Sequence, residues 1–198
     1  MLVEIAALWT KYDYVFLNGL KGTLWLALIT LFFVNIYIEV LRGTPILLQL
    51  YFFWLVLPKI SPIALSDTAC IIVALIVNSS SYISEIIRAG IQAVDKGQTE
   101  AAKSLGMSPA VTLRCIVLPQ AIKNILPALG NQFILTVKET SLASVFFVGE
   151  LMTAYKSVQS ATFLSVSSLT IAGIIYLIVT YTLSKVVGVF EKRLAVSS

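Results

Sequence analysis

Long apolar stretches alternate along this chain with a polar island at residues 100–121 (EAAKSLGMSPAVTLRCIVLPQA). The hydrocarbon core of a bilayer is crossed by about 20 mostly apolar residues. Three stretches meet that length: 69–88; 125–148, interrupted by Lys138 and Glu139; and 164–187. Upstream, the apolar run 20–57 holds 38 residues, against about 40 for two full crossings. Its first strong breaker is Gly43, Thr44 and Pro45. Two readings stay open: one helix over 18–41 followed by a short tilted segment at 45–57, or two shortened spans with a tight turn near Asn35.

The island predicts a short helical hairpin held at a membrane surface. A helix-forming run through Glu100 to Leu105 ends at Gly106, where a left-handed backbone closes the helix. Ser108 and Pro109 then supply an N-cap and the residue favoured at the first helical position. Leu118 and Pro119 are expected to break the second helix, because proline lacks an amide proton and biases its predecessor away from helix. An ordinary solvated loop is the plainer alternative.

Composition supports a membrane protein: 58% of residues are apolar, 12% are charged and mean hydropathy is +0.92. A soluble domain is charged at about a quarter of its positions. The net charge is +4, and its placement matters more than its sum. Lys96, Lys103, Arg114 and Lys123 surround the hairpin, while Lys185, Lys192 and Arg193 gather near the C-terminus, so the positive-inside rule puts both on the cytoplasmic side. The third crossing then runs inward, the fourth outward and the fifth inward. The hairpin is tethered to spans at both ends and carries Asp95 and Glu100, which argues against nucleic-acid binding.

Cys70 and Cys115 show no CxxC or metal spacing and read as packing residues. The chain has no histidine, which removes the commonest general base and metal ligand, and no GxxxxGK[ST] loop to cradle phosphates. No positive leader with a small-residue cleavage site is visible.

Within 69–88, Asn78, Ser81, Glu85 and Arg88 follow at spacings of three, four and three, so they share one helical face. Two readings are open. Glu85 and Arg88 form a self-neutralising pair, or the face lines a pocket for a zwitterion, with arginine for a carboxylate and glutamate for an ammonium group. Glu150 is a candidate acidic partner for a cationic side chain, or a helix cap, or solvent-facing. Gln49 is a further polar group at membrane depth. Lys138 and Glu139 read as a structural or gating pair rather than a binding site.

Glu100, Ala101, Ala102 and Gly106, followed by Leu118, Pro119, Gln120 and Ala121, resemble the coupling loop of membrane subunits of ATP-binding-cassette importers. GQTEAAKSLG and KNILPALGNQF around it, with IYIEVLRGTPILLQLYF, SSYISEIIRAGIQAV, KETSLASV and FEKRL, resemble the polar amino acid branch. The resemblance implies an all-α integral membrane protein of about five transmembrane helices, the first two shortened or fused, with a cytoplasmic coupling-helix hairpin. It also implies one permease domain over 1–198, with the coupling loop at about 95–121. Where the family places two spans and a cytoplasmic connection, this chain lacks the second half of the first span and the basic loop after it.

The implied activity is ATP-driven import of polar or cationic amino acids across the bacterial cytoplasmic membrane. The chain itself would bind no cofactor, since ATP and magnesium belong to a partner. Implied partners are a cytoplasmic ATPase dimer gripping the hairpins, an extracytoplasmic amino-acid-binding protein, a second permease subunit (a homodimer or a sister permease), and membrane lipid. The alternatives are a permease that assembles without transporting, and a passive channel. An intramembrane enzyme is disfavoured by the lack of histidine and of paired aspartates in the spans.

Overall fold

The computed structural model describes residues 2–196; 89% of the chain is helical, with no strand among the described residues. Two units divide it, one ending at Gly43 and the other beginning at Thr44.

The first unit is one helix, α1 (Leu2–Gly43), of 42 residues, with a kink at Tyr12 (φ −129°, ψ 17°). At 1.5 Å per residue it is about 63 Å long, twice the thickness of a hydrocarbon core. Its polar side chains bond to their own helix: the Thr23 and Thr30 hydroxyls donate to the carbonyls of Gly19 and Leu26 at 2.9 and 2.8 Å, and the Asn35 amide donates to Leu31 at 3.0 Å. These back-bonds place a donor of each of those side chains within the helix itself. The turn near Asn35 that one reading entertained is not present; Asn35 sits inside a continuous helix, its amide bonded one turn back.

The second unit begins with α2 (Ile46–Ile60), followed by α3 (Asp67–Gln92), which Ser66 caps by accepting from the Ala69 amide. The hairpin comprises α4 (Lys96–Ser104) and α5 (Pro109–Thr112), and α5 passes through a π-helical turn at Leu113–Val117 into α6 (Leu118–Glu139). A 3₁₀ helix at Thr140–Phe146, α7 (Leu151–Thr162) and α8 (Ser165–Val196) complete the chain. By length and composition α1, α3 and α8 are each apolar enough to cross a membrane, and α2 is a shorter apolar helix.

Two expectations are corrected here. The apolar stretch 125–148 is not one helix: α6 stops at Glu139, the chain tightens into 3₁₀ geometry, and Phe147 turns left-handed at φ 56°. Nor do Leu118 and Pro119 break the second hairpin helix. The wider π turn, in which the Leu118 amide reaches the Leu113 carbonyl, moves the preceding carbonyls away from the Pro119 ring, so the helix runs on into α6.

Helices α2, α3, α6 and α8 pack in that order, α3 against α6 and α6 against α8. In lipid there is little hydrophobic gain in joining helices, so small residues that permit close approach govern the interface. Gly90 of α3 lies against Ile125 of α6, where an added methyl would collide, and Gly130 of α6 lies against Val187 of α8. The core of the unit joins Leu50, Ile71, Ala74, Ala143 and Phe146. Tyr51 and Trp54 of α2 pack on Phe146 with ring centroids 4.8 and 5.5 Å away.

Candidate functional site

The polar face of α3 divides into two parts. Asn78 and Ser81 are buried, Asn78 at 2% exposure. The Asn78 amide nitrogen donates to the Gln49 side-chain oxygen of α2 at 2.9 Å, and Gln49 in turn donates to the Thr44 hydroxyl at 2.9 Å and the Thr44 carbonyl at 3.2 Å. Ser81 donates to the Asn78 carbonyl at 2.7 Å. The structure therefore gathers Gln49, Asn78 and Ser81 into one buried network, leaving the Asn78 side-chain oxygen without a hydrogen-bond partner.

Two turns nearer the hairpin, Glu85 and Arg88 form a two-pronged ion pair: Nε to Oε1 at 3.0 Å and Nη2 to Oε2 at 2.5 Å. The third guanidinium nitrogen donates to Gln92 at 2.9 Å. The Arg88 side chain is 57% exposed and that of Glu85 20%. This is the self-neutralising arrangement, with the fork of the arginine closed on its own helix.

Glu150 caps α7. Its two oxygens accept from the amides of Met152 and Thr153, each at 2.7 Å, and from the Tyr176 hydroxyl of α8 at 3.1 Å, while the Thr153 hydroxyl gives its proton to the Val148 carbonyl at 2.6 Å. A carboxylate has about four acceptor positions, and these donors occupy most of them. Of the roles left open for Glu150, the structure shows the cap.

Lys138 is exposed and Glu139 half-buried at the end of α6, and one Glu139 oxygen, Oε2, is buried without a hydrogen-bond partner. Two residues that sequence reasoning passed over lie nearby in the chain's packing. Tyr176 ties α8 to Glu150, and the half-buried Lys156 donates to the carbonyl of the buried Ser144 at 2.9 Å, capping the end of the 3₁₀ helix. The signal for Lys156 was its isolation in the polar stretch after Glu150; a lone tyrosine in an apolar span gives none.

At the other end of the unit the hairpin is built from local chemistry. Asp95 caps α4 by accepting from the Gly97 amide at 2.6 Å. At its far end the Gly106 amide bonds the Lys103 carbonyl and the Met107 amide the Ala102 carbonyl, 2.9 and 3.1 Å, with Gly106 at φ 76°. That pair of bonds around a left-handed residue is a Schellman cap. Ser108 accepts from the Val111 amide at 3.4 Å and Pro109 opens α5, while Gln120 donates to Gln98 across the hairpin at 3.3 Å. Ala102 and Ala121 are buried within it; Glu100, Ala101, Leu118 and Pro119 face outward, and Leu105 at its tip is 82% exposed.

A hairpin of this form, set between membrane-length helices, is matched in sequence by the family described as binding-protein-dependent transport system inner membrane component, over residues 25–196. The chain belongs to that family. Among its relatives is the arginine transport system permease protein ArtQ of Bacillus subtilis, 39% identical over 81% of this chain and 73% of its own. The glutamine transport system permease protein GlnP of Escherichia coli K12 is 35% identical over 81% and 74%. The crystal structure of an amino acid ABC transporter with histidines superposes with a TM-score of 0.74 at 47% identity, covering 80% of this chain and 74% of that one. The MetNI methionine ABC transporter in an inward-facing conformation, 17% identical with a TM-score of 0.67 over 81% of this chain and 74% of its own, shares the fold. As a member of the inner membrane component family the chain is a multi-pass protein of the bacterial cytoplasmic membrane.

Proposed function

We propose that this chain is the permease subunit of an ATP-driven importer that carries polar or cationic amino acids into the cell. The observation that carries the reading is the joint one of family membership over residues 25–196 and a hairpin whose exposed tip, Leu105 and Gly106, is fixed by its own caps. Relatives named for arginine and glutamine transport support the substrate class and favour an importer over a passive channel.

The chain carries no phosphate-cradling loop, so the energy comes from a partner. A cytoplasmic ATPase dimer holding ATP and magnesium would grip the hairpins of two permease subunits, this one and either a second copy or a sister chain. An extracytoplasmic binding protein would deliver the amino acid. Glu100, Ala101, Ala102 and Gly106 form the first arm of the contact; Leu118 and Pro119, following the π turn, join the second arm to α6.

For the substrate path we take the polar line of α3, Asn78, Ser81, Glu85 and Arg88, with Gln49 opposite. Polar groups at membrane depth carry a cost that function repays. Glu150 enters as an acidic group beside the path rather than as the main ligand, since most of its acceptor positions are engaged by its own helix and Tyr176. The reading is tested by reconstituting the permease with its ATPase and measuring uptake of labelled L-arginine and L-glutamine with loaded binding protein. ATP-dependent accumulation of either supports it, and ATP-independent equilibration would replace it with a channel.

A further inference from the structure

Helix α1 is too long for one membrane crossing, and its charges show where the surplus lies. No charged residue stands between Lys21 and Glu39. At 1.5 Å per residue that interval covers about 27 Å, close to the ~30 Å of a hydrocarbon core. Its polar side chains, Thr23, Thr30 and Asn35, each donate to a carbonyl of their own helix. The crossing part of α1 is thus residues 22–38, and residues 2–21 extend beyond it. The family match begins at residue 25, so this extension falls outside it.

One break interrupts the extension. Tyr12 leaves helical geometry (φ −129°, ψ 17°), and the Asp13 carboxylate accepts from the Tyr14 amide at 2.7 Å immediately afterwards. From Asp13 to Gly43 the helix measures about 46 Å, against about 40–45 Å for a bilayer with its headgroups. The break therefore stands at the level where headgroups give way to water. Before it, Leu2, Ile5 and Trp9 follow at spacings of three and four and share one helical face, while Glu4 and Lys11, seven apart, share the opposite face. The three apolar side chains are each more than half exposed, with Leu8 on their flank. Across the break Phe16 continues the apolar face and stacks on Trp9, ring centroids 6.0 Å apart. The Lys11 ammonium lies 5.3 Å from the centroid of the Tyr12 ring.

A straight continuation past the headgroups would hold Leu2, Ile5 and Trp9 in water, whereas a turn at Tyr12 returns them to lipid. We propose that residues 2–11 lie along the membrane surface as an interfacial anchor, with Ile5 and Trp9 seated at the headgroup–acyl boundary and Glu4 and Lys11 turned to water. The surface they meet is phospholipid, because the segment is continuous with a helix that crosses that same bilayer. Tryptophan and tyrosine are the side chains that such an interface favours. Glu4, Lys11, Asp13 and Lys21 balance in charge, so apolar and aromatic contact holds the anchor and anionic headgroups are not needed. Its consequence is positional: an apolar helix that exceeds the hydrocarbon thickness tilts or slides at modest cost, and a surface-bound arm fixes its depth.

The test uses the full chain assembled with its ATPase in phosphatidylcholine nanodiscs. Cys115→Ser removes the exposed thiol, and Cys70 is buried away from labelling. A nitroxide is attached in turn through Glu4→Cys, Ile5→Cys, Trp9→Cys and Lys11→Cys. Its collisions with oxygen, which concentrates in lipid, are compared with those of a nickel chelate, which stays in water. The oxygen-to-nickel ratio is expected to be several-fold higher at positions 5 and 9 than at 4 and 11, and to keep that pattern when part of the lipid is replaced by phosphatidylglycerol.

High nickel access at all four positions overturns the proposal, since the arm then stands in water. Shielding of positions 5 and 9 from both reagents overturns it in favour of packing against a protein subunit, and a pattern that needs phosphatidylglycerol overturns it in favour of a charge-held arm. A second reading needs no label: Trp9→Phe is expected to remove part of the fluorescence quenching caused by lipid brominated near its glycerol end. Quenching unchanged by that substitution places Trp9 outside the interface and overturns the proposal as well.

Discussion

Gln49 and Asn78, 29 residues apart in the chain, share a 2.9 Å hydrogen bond between buried side chains that joins α2 to α3 at the middle of the bundle. Gln49 is held in turn by Thr44, immediately before the Pro45 that precedes α2, so the start of that helix is anchored at the depth of Asn78.

Removing one partner of this bond strands the other, which costs about 1–3 kcal/mol for a buried polar group and often nearer 1 in a membrane. Gln49→Leu is therefore expected to lower the thermal midpoint of the purified complex. Gln49→Leu with Asn78→Leu is expected to cost less than the sum of the two single changes, as read by a double-mutant cycle on that midpoint. Strict additivity would mean that the bond carries no coupling.

At the hairpin, Gly106 adopts φ 76°, a conformation that a β-branched side chain strongly disfavours, yet no atom lies within 4 Å of where its Cβ would be. The penalty is thus one of backbone and not of space. Gly106→Val is expected to abolish substrate-stimulated ATPase activity in the reconstituted complex, and Gly106→Asn, which tolerates the left-handed region, to retain most of it. Equal loss in both would point to a steric contact with the partner.

The π turn before Leu118 accommodates Pro119. With Pro119→Ala an ordinary α turn becomes accessible, which would rotate the hairpin arm relative to α6 by about one residue, near 100°. Assembly with the ATPase is expected to persist while stimulation falls several-fold. Full stimulation would show that the wide turn is not needed for coupling.

Arg88 and Glu85 are largely closed on each other, and the exposure of the arginine to solvent leaves the pair little to add to stability. Arg88→Lys keeps the charge and loses the fork. It is expected to leave the thermal midpoint within about two degrees, while lowering amino acid affinity only if the pair opens to substrate during transport; unchanged affinity in a binding assay would remove Arg88 from the substrate path.

The Glu150 cap predicts a split result. Glu150→Gln retains the acceptor that the amides of Met152 and Thr153 need in part, whereas Glu150→Ala removes it and costs about 0.5–2 kcal/mol. Uptake of L-arginine relative to L-glutamine is expected to fall in Glu150→Gln if the fixed charge assists a cationic substrate. An unchanged ratio would leave Glu150 with its cap alone.

The turn of the hairpin was legible in the sequence, while the Asp95 cap that starts α4 was not. Gly106, Ser108 and Pro109 act on backbone groups three to five residues away, and such bonds depend on little beyond the neighbouring sequence. Pro119 misled for the same local reason: its missing amide was visible, but the π turn that absorbs it was not. Asn35 likewise showed a polar group in an apolar run without showing that its amide bonds back to Leu31.

From sequence alone, the membrane character, the basic hairpin and the face shared by Asn78, Ser81, Glu85 and Arg88 followed, because hydropathy and helical periodicity are properties of neighbours in the chain. Only the tertiary structure decided which polar groups are satisfied: the Asn78 nitrogen by Gln49 while its oxygen stays open, Glu150 by Tyr176 and its own helix, Lys156 by Ser144, and Glu139 left with an open oxygen. Those outcomes depend on the register of antiparallel helices, and inside a bilayer that register is set by close packing at positions such as Gly90 and Gly130, which leave no hydrophobic signal to read.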